Sequence, residues 1–224
     1  MRIVRTFRLA LAVAAVVPAL AGAQAASNAR RGFDDSWFWG IRGGSTMFTT
    51  GASGDSKVSA PTVGAEWMIT RTRIAAYLAV EQAFFDNTAA VFDPSAAGSA
   101  RAVDISDLRS YNAGVYFFPV RYGNLRPYAG LGIAINVIQH AEPRGTFTSE
   151  ESQLAVFETV DAQSSRVSAV LSAGAQYQVG RAALFGQIAT LPTRRNFLIN
   201  GAANTFVLQG GVRFNLLGAI EKVQ

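Results

Sequence analysis

Apolar and polar residues alternate along this chain in eight stretches, at residues 36–48, 58–69, 73–85, 106–119, 126–138, 167–179, 182–191 and 204–216. A period of two is that of a β-strand with two unlike faces. On the second stretch Val63, Ala65, Trp67 and Ile69 oppose Thr62, Gly64, Glu66 and Met68. On the third, Ile74, Ala76, Leu78, Val80 and Phe84 share one face, and Tyr77, Ala79 and Glu81 the other. The fifth sets Ala129, Leu131, Ile133, Ile135 and Val137 against Tyr128, Gly130, Gly132, Ala134 and Asn136. The eighth sets Phe206, Leu208, Val212, Phe214 and Leu216 against Gln209, Gly211, Arg213 and Asn215.

The gaps between these stretches are alternately long and short. Those after the second, fourth and sixth are Thr70–Thr72, Val120–Leu125 and Gly180–Arg181, whereas the others run from Thr49–Lys57 up to Ile138–Arg166. A soluble sandwich has no reason to shorten every second loop. A closed antiparallel barrel crossing an outer membrane does, because its inner turns are short and its outer loops long. The pattern therefore predicts an all-β, closed eight-stranded antiparallel transmembrane β-barrel over residues 35–217, with both mature termini periplasmic. Each stretch also reaches the roughly 9–11 residues that a tilted spanning strand requires. A soluble barrel with charged residues outside is the alternative. Against it, the polar faces are mostly Gly, Ala, Ser, Gln and Tyr, a poor solvent face but a good tight lumen. Aromatics also collect at the strand ends, with Trp37, Trp39, Trp67 and Phe117 on the periplasmic side and Phe48, Phe84 and Phe85 on the outer side. These predict two interfacial girdles.

The region ahead of the first strand explains how such a chain leaves the cytoplasm. Arg2, Arg5 and Arg8 precede an apolar run from Leu9 to Leu20 and the small residues Ala21, Gly22 and Ala23. This is the layout of a secretory signal peptide over residues 1–23, cleaved after Ala23 or Ala25. The run contains Pro18 and is shorter than the roughly 20 residues of a spanning helix. Removing the signal leaves 17 basic residues against 15 acidic ones, so the net charge falls from +5 to +2 and gives no support to a nucleic-acid partner. No cysteine is present, so no disulfide framework holds the exported chain and stability rests on closure and burial.

The segments Tyr116-Phe117-Phe118-Pro119, Arg126-Pro127-Tyr128-Ala129-Gly130-Leu131-Gly132 and Gln209-Gly210-Gly211-Val212-Arg213-Phe214 resemble the small outer-membrane β-barrel proteins, similar to the transmembrane domain of outer-membrane protein A and its eight-stranded relatives. The resemblance implies a diderm cell envelope, outer-membrane lipids as surroundings, and delivery by the barrel assembly machinery. It says little about activity, because that family includes scaffolds, adhesins and lipid-modifying enzymes. Members commonly end in an aromatic residue that the assembly machinery reads. Here a short tail, residues 218–224, follows, and Phe214 is the internal residue suited to that role.

The period of two also gathers charge in the interior. Arg42, Glu66, Glu81 and Arg213 fall on inward faces of strands one, two, three and eight, and closure makes strands eight and one neighbours. Two charges of each sign permit a neutral network, to which Gln187, Gln209, Gln176, Tyr77 and Tyr116 can add hydrogen bonds. An eight-stranded barrel is just wide enough for side chains to fill. A plugged lumen is the reading adopted, a narrow pore for small or apolar solutes the alternative. Paired carboxylates beside arginines stay ionised, which suits acid–base catalysis poorly.

His140 is the only histidine, at the outer end of strand five. The family resemblance makes lipid A modification a further alternative, with Glu142, Thr146 and Ser149 as neighbours in sequence; a triad needs geometry as well as inventory. The third outer loop carries Glu142, Glu150, Glu151, Glu158 and Asp161 against Arg144, without calcium-loop spacing, and reads as a solvated, partly mobile face. Arg194 and Arg195 in the fourth loop are candidates for lipid-phosphate contacts. Gly40-Ile41-Arg42-Gly43-Gly44 lacks the strand-then-helix setting of a nucleotide loop, and its glycines point to curvature or close packing. No catalytic, metal or cofactor motif stands out. The sequence therefore reads as a non-enzymatic barrel that acts in envelope structure or in surface interaction through its outer loops.

Overall fold

The structure, a computed structural model, describes residues 33–51, 56–192 and 196–218. The expected signal peptide and the residues past 218 lie outside them, as do Arg194 and Arg195. Eight strands follow in order: β1 (Ser36–Thr50), β2 (Ser56–Thr70), β3 (Ile74–Phe92), β4 (Ala100–Phe117), β5 (Leu125–Pro143), β6 (Ser165–Val179), β7 (Ala182–Pro192) and β8 (Asn204–Gly218). Each pairs antiparallel with its sequence neighbour, and β1 pairs with β8 to close the barrel. Closure leaves no edge strand, although β3 runs on past its last β2 partner at Ala83.

The faces fall as the alternation predicts. Leu131, Ile133, Ile188 and Leu208 are each more than half exposed on the outer wall, while Arg213, Glu66, Met68 and Tyr116 are fully buried within. This inside-out distribution is that of a transmembrane barrel: a belt of exposed apolar side chains far exceeds what a water-soluble surface carries.

Three expectations are corrected. First, the outer hairpins are strand rather than loop. β3 and β4 stay paired out to Phe92 and Ala100, leaving only Asp93–Ser99 between them, and β5 runs on to Pro143. The extra length comes with a register shift between Ala83 and Asp86, opposite Asp107, whose φ of 55° lies in the left-handed region. Bulges of this kind bend and twist a long hairpin. Second, the connection between β5 and β6 is not loop throughout. It holds a helix, α1 (Glu150–Ser164), whose N-cap Ser149 accepts from the Ser152 amide at 3.1 Å. Glu150 and Glu151 stand in its first turn, where the helix dipole favours negative charge. Third, Phe48 and Phe85 do not belong to an outer girdle. They point inward and meet edge to face at 4.8 Å, while Phe84 alone of the three faces out.

Candidate functional site

The lumen is built in three layers. The middle layer collects the charges that the alternation placed inside. Around the wall the order is Arg213, Arg42, Glu66 and Glu81, but neighbours of like sign do not pair with each other. Arg213 Nε donates to Glu66 Oε1 at 2.5 Å, and Arg42 Nη1 lies 3.1 Å from Glu81 Oε1. Each bridge steps over one strand, and the register shows how. Arg213 and Glu66 flank Gly40 in one ladder row; Arg42 and Glu81 flank Gly64 in the next. A Cβ on Gly40 would lie 2.9 Å from Glu66 Oε1, and one on Gly64 2.6 Å from the Val80 carbonyl oxygen and 2.9 Å from Glu81 Cγ. Glycine on the intervening strand is what lets the two side chains meet across it.

Amides and rings complete the layer. Gln209 Nε2 donates to Glu81 Oε2 at 2.8 Å, and its Oε1 accepts from Gln187 Nε2 at 2.8 Å and from Arg42 Nη1 at 3.3 Å. Gln187 Oε1 accepts in turn from Tyr128 at 3.0 Å and Tyr116 at 3.3 Å. Arg213 Nη1 donates to Gln176 Oε1 at 2.8 Å, and its guanidinium lies 3.8 Å over the Phe185 ring. Tyr77 contributes by stacking on Tyr116 at 4.2 Å. Ion pairs this deep repay desolvation only when the remaining donors and acceptors are also met, and this layer meets most of them. Asn112 and Phe185 belong to it although sequence reading passed over them, as does Tyr128, which was placed on the inward face but not counted in the network. Tyr128 and Asn112 carry the same inward parity as their strand neighbours Asn136 and Tyr116, so the signal was present for both.

The layer at the end of the barrel where the chain enters β1 is apolar: Phe33, Phe38, Met68 and Phe118 are buried below the tyrosines. The chain ahead of β1 supplies Phe33, whose ring meets Phe118 at 4.7 Å and carries the Arg126 guanidinium 4.2 Å above it. Thr70 anchors this segment, accepting from the Ser36 amide at 3.1 Å and donating to the Phe33 carbonyl.

The outer layer is apolar too. Phe48, Val91, Val103, Ile105, Leu108 and Ile138 from the strands pack with Val156 and Val160 of α1 and with Phe197, Leu198 and Ile199 of the last outer connection. Backbone bonds tie these pieces together, from the Leu198 amide to the Gln163 carbonyl (3.1 Å) and from the Gly201 amide to the Thr49 carbonyl (2.8 Å). A buried ion pair holds the rim. Arg101 Nε donates to Asp93 Oδ2 at 2.5 Å, Arg101 Nη1 donates to the Arg144 carbonyl at 2.7 Å, and the guanidinium lies 4.1 Å over Phe147. Hydrogen bonds from Ser95 and then from Arg101 hold the Asp93 carboxyl below the ordinary aspartate range. Between the middle and outer layers lies a cavity of about 30 Å³, lined in part by Arg42, Glu81, Ser172 and Gln209, room for one water.

His140 stands within β5, exposed on the outer wall. Its register partner on β4 is Ser106, and Asp86 of β3 pairs with Ser106 in turn. Its expected loop neighbours are engaged elsewhere: Ser149 caps α1, and the Thr146 carbonyl accepts from Arg101. Glu142 stays on His140's own strand, two residues on. Arg144, the basic residue of that loop, pairs with Asp104 at 2.6 Å. Among the described residues no cluster of His, Cys, Asp and Glu is arranged to hold a metal ion.

No family model matches the chain, and no curated protein matches it in sequence. Among solved structures it is similar to Neisserial surface protein A, with a TM-score of 0.54 at 10% identity over 80% of this chain and 97% of that one. It also matches Ail, the attachment invasion locus protein of Yersinia pestis, at a TM-score of 0.42 and 15% identity over 81% of this chain and 99% of that one. At these identities the likeness is one of fold: this chain shares the eight-stranded antiparallel barrel.

Proposed function

We propose that the protein is an outer-membrane barrel with a closed lumen and periplasmic termini, non-enzymatic in its main role, which supports the envelope or engages partners through its outer cap. The single observation that carries this is the three-layer filling of the lumen, in which the pocket among Arg42, Glu81 and Gln209 measures about 30 Å³, room for one water. A conducting path would have to break two apolar seals as well as the ion-paired layer. The cap supports a surface role: α1 turns Val156 and Val160 inward and leaves Leu154 and Phe157 exposed among Glu150, Glu158 and Asp161. Planar-bilayer recording tests the reading. The refolded barrel is expected to give no resolved openings; openings that change with Glu66→Gln or Arg42→Gln would replace it with the narrow-pore reading.

One observation favours a second reading, hydrolysis of lipid acyl esters at the outer wall. Asp86, Ser106 and His140 occupy one outward row on three adjacent strands. No hydrogen bond joins Ser106 to His140, so the arrangement supplies the inventory and order of a triad without its geometry. Mass spectrometry of extracted lipid A separates the two readings. Under the first reading, Ser106→Ala and His140→Ala cells show wild-type acylation; a shared change in acylation favours the second.

A further inference from the structure

We infer that the outer wall over β2–β5 binds a phosphate-bearing lipid of the outer leaflet at a defined site, with Arg109 as its phosphate ligand. This rests on the membrane reading above and goes beyond it, because an apolar belt alone would hold lipid without selecting a headgroup.

Two depressions in the wall are continuous. The lower is almost wholly apolar, floored by the small residues Ala65 and Ala113 and walled by Trp39, Trp67, Leu78 and Ile133. The upper begins at Ala65 and Val80, which both share, and rises to Gln82, Asp107, Arg109 and His140. The ladder register explains the shape. Ala113 lies between Leu78 and Ile133 in one outward row; Ala65 lies between Ile41 and Val80 in the next. A methyl among branched and aromatic neighbours leaves a furrow the width of a side chain.

Arg109 faces out one row above, flanked by Gln82 and Val137 and preceding the outward Tyr111 on its own strand. Its Nε donates to Gln82 Oε1 at 3.0 Å in an exposed pair, a bond that engages neither Nη group. No carboxylate of the described residues forms an ion pair with it. Asp107, the nearest acid along the strand, turns its Oδ1 to the Phe85 amide at 3.4 Å. An unpaired guanidinium directly above an apolar furrow suits one kind of occupant: an amphiphile with a phosphate at its polar end and acyl chain below. Arginine's planar fork matches phosphate oxygens two at a time.

Native mass spectrometry of the mature barrel in dodecyl maltoside tests this, with dioleoyl phosphatidic acid and dioleoylglycerol offered together as probes. Wild type is expected to retain one phosphatidic acid at least tenfold over the diglyceride. Arg109→Gln should abolish that preference while leaving diglyceride retention unchanged, and Ala113→Trp, which fills the furrow, should lower both. Equal retention of the two probes by wild type would overturn the inference. So would undiminished phosphatidic acid on Arg109→Gln, or lipid-free dimers showing that a second copy covers the wall. Each variant is first run on a gel with and without boiling. Loss of heat-modifiable migration in wild type would sink the membrane reading itself, a failure distinct from loss of headgroup preference.

Discussion

The middle of the lumen and its outer cap are both buried, yet they are held by opposite means. In the middle, Arg213, Glu66, Arg42 and Glu81 are fixed by directional bonds between residues on paired or nearly paired strands. In the cap, Val156, Val160, Leu198 and Ile199 meet strand residues through apolar side-chain contact, with two backbone bonds from the last connection and the Asp93–Arg101 pair at the rim. A barrel's wall is one cooperative ladder, so damage to the middle layer is felt by all eight strands. The cap is carried on connections that can open while the ladder stays closed. Stability and surface behaviour are therefore separable in this molecule.

The largest effect is expected in the middle layer. Glu66→Ala leaves Arg213 fully buried without its carboxylate, and breaking such a pair costs about 3–5 kcal/mol. Urea titration of the barrel in vesicles reads this as a lowered midpoint for the whole ladder. The contrast with the cap breaks if only the outer loops become protease-sensitive. Gly64→Ala comes next, at about 1–3 kcal/mol from overpacking against the Val80 carbonyl and Glu81. The same titration measures it, and a neutral result would remove the stepped-over glycine from the account of the ion pairs.

Leu198→Ala should act on the cap alone. A loss of about 2 kcal/mol of local packing corresponds to roughly 25-fold faster proteolysis of the outer connections, with the global urea midpoint unmoved. A shifted midpoint would show that cap and ladder unfold together. The smallest effect concerns pH. The folded Asp93 carboxyl titrates below its unfolded value, so its contribution is complete above about pH 4 and is lost as the pH falls through the lower, folded value. Protease sensitivity of the cap should therefore rise on acidification below about pH 4. Asp93→Asn should be as sensitive at neutral pH and show no such step.

The same contrast explains what could be read in advance. Strand number, closure, facing and the inward charges were legible because the period of two ties each side chain's direction to its own position in sequence. Phe48 and Phe85 were misread although they carry the inward parity of Arg42 and Glu81 on their own strands, because their place near a strand end was weighed ahead of the period of two. α1 was missed because its charged residues mask Val156 and Val160, an i, i+4 pair whose partners lie on β-strands and on a connection some 40 residues away.

Sequence by itself determined the wall: which residues face in, which face out, and that two arginines and two glutamates share a narrow interior. Tertiary structure alone decided the pairing of those charges across Gly40 and Gly64, the apolar layers on either side of them, and the row that sets Ser106 beside His140. Facing is a local property of an alternating strand. Pairing, closure and neighbourhood depend on register and on contacts between distant segments, which no single stretch of the chain encodes.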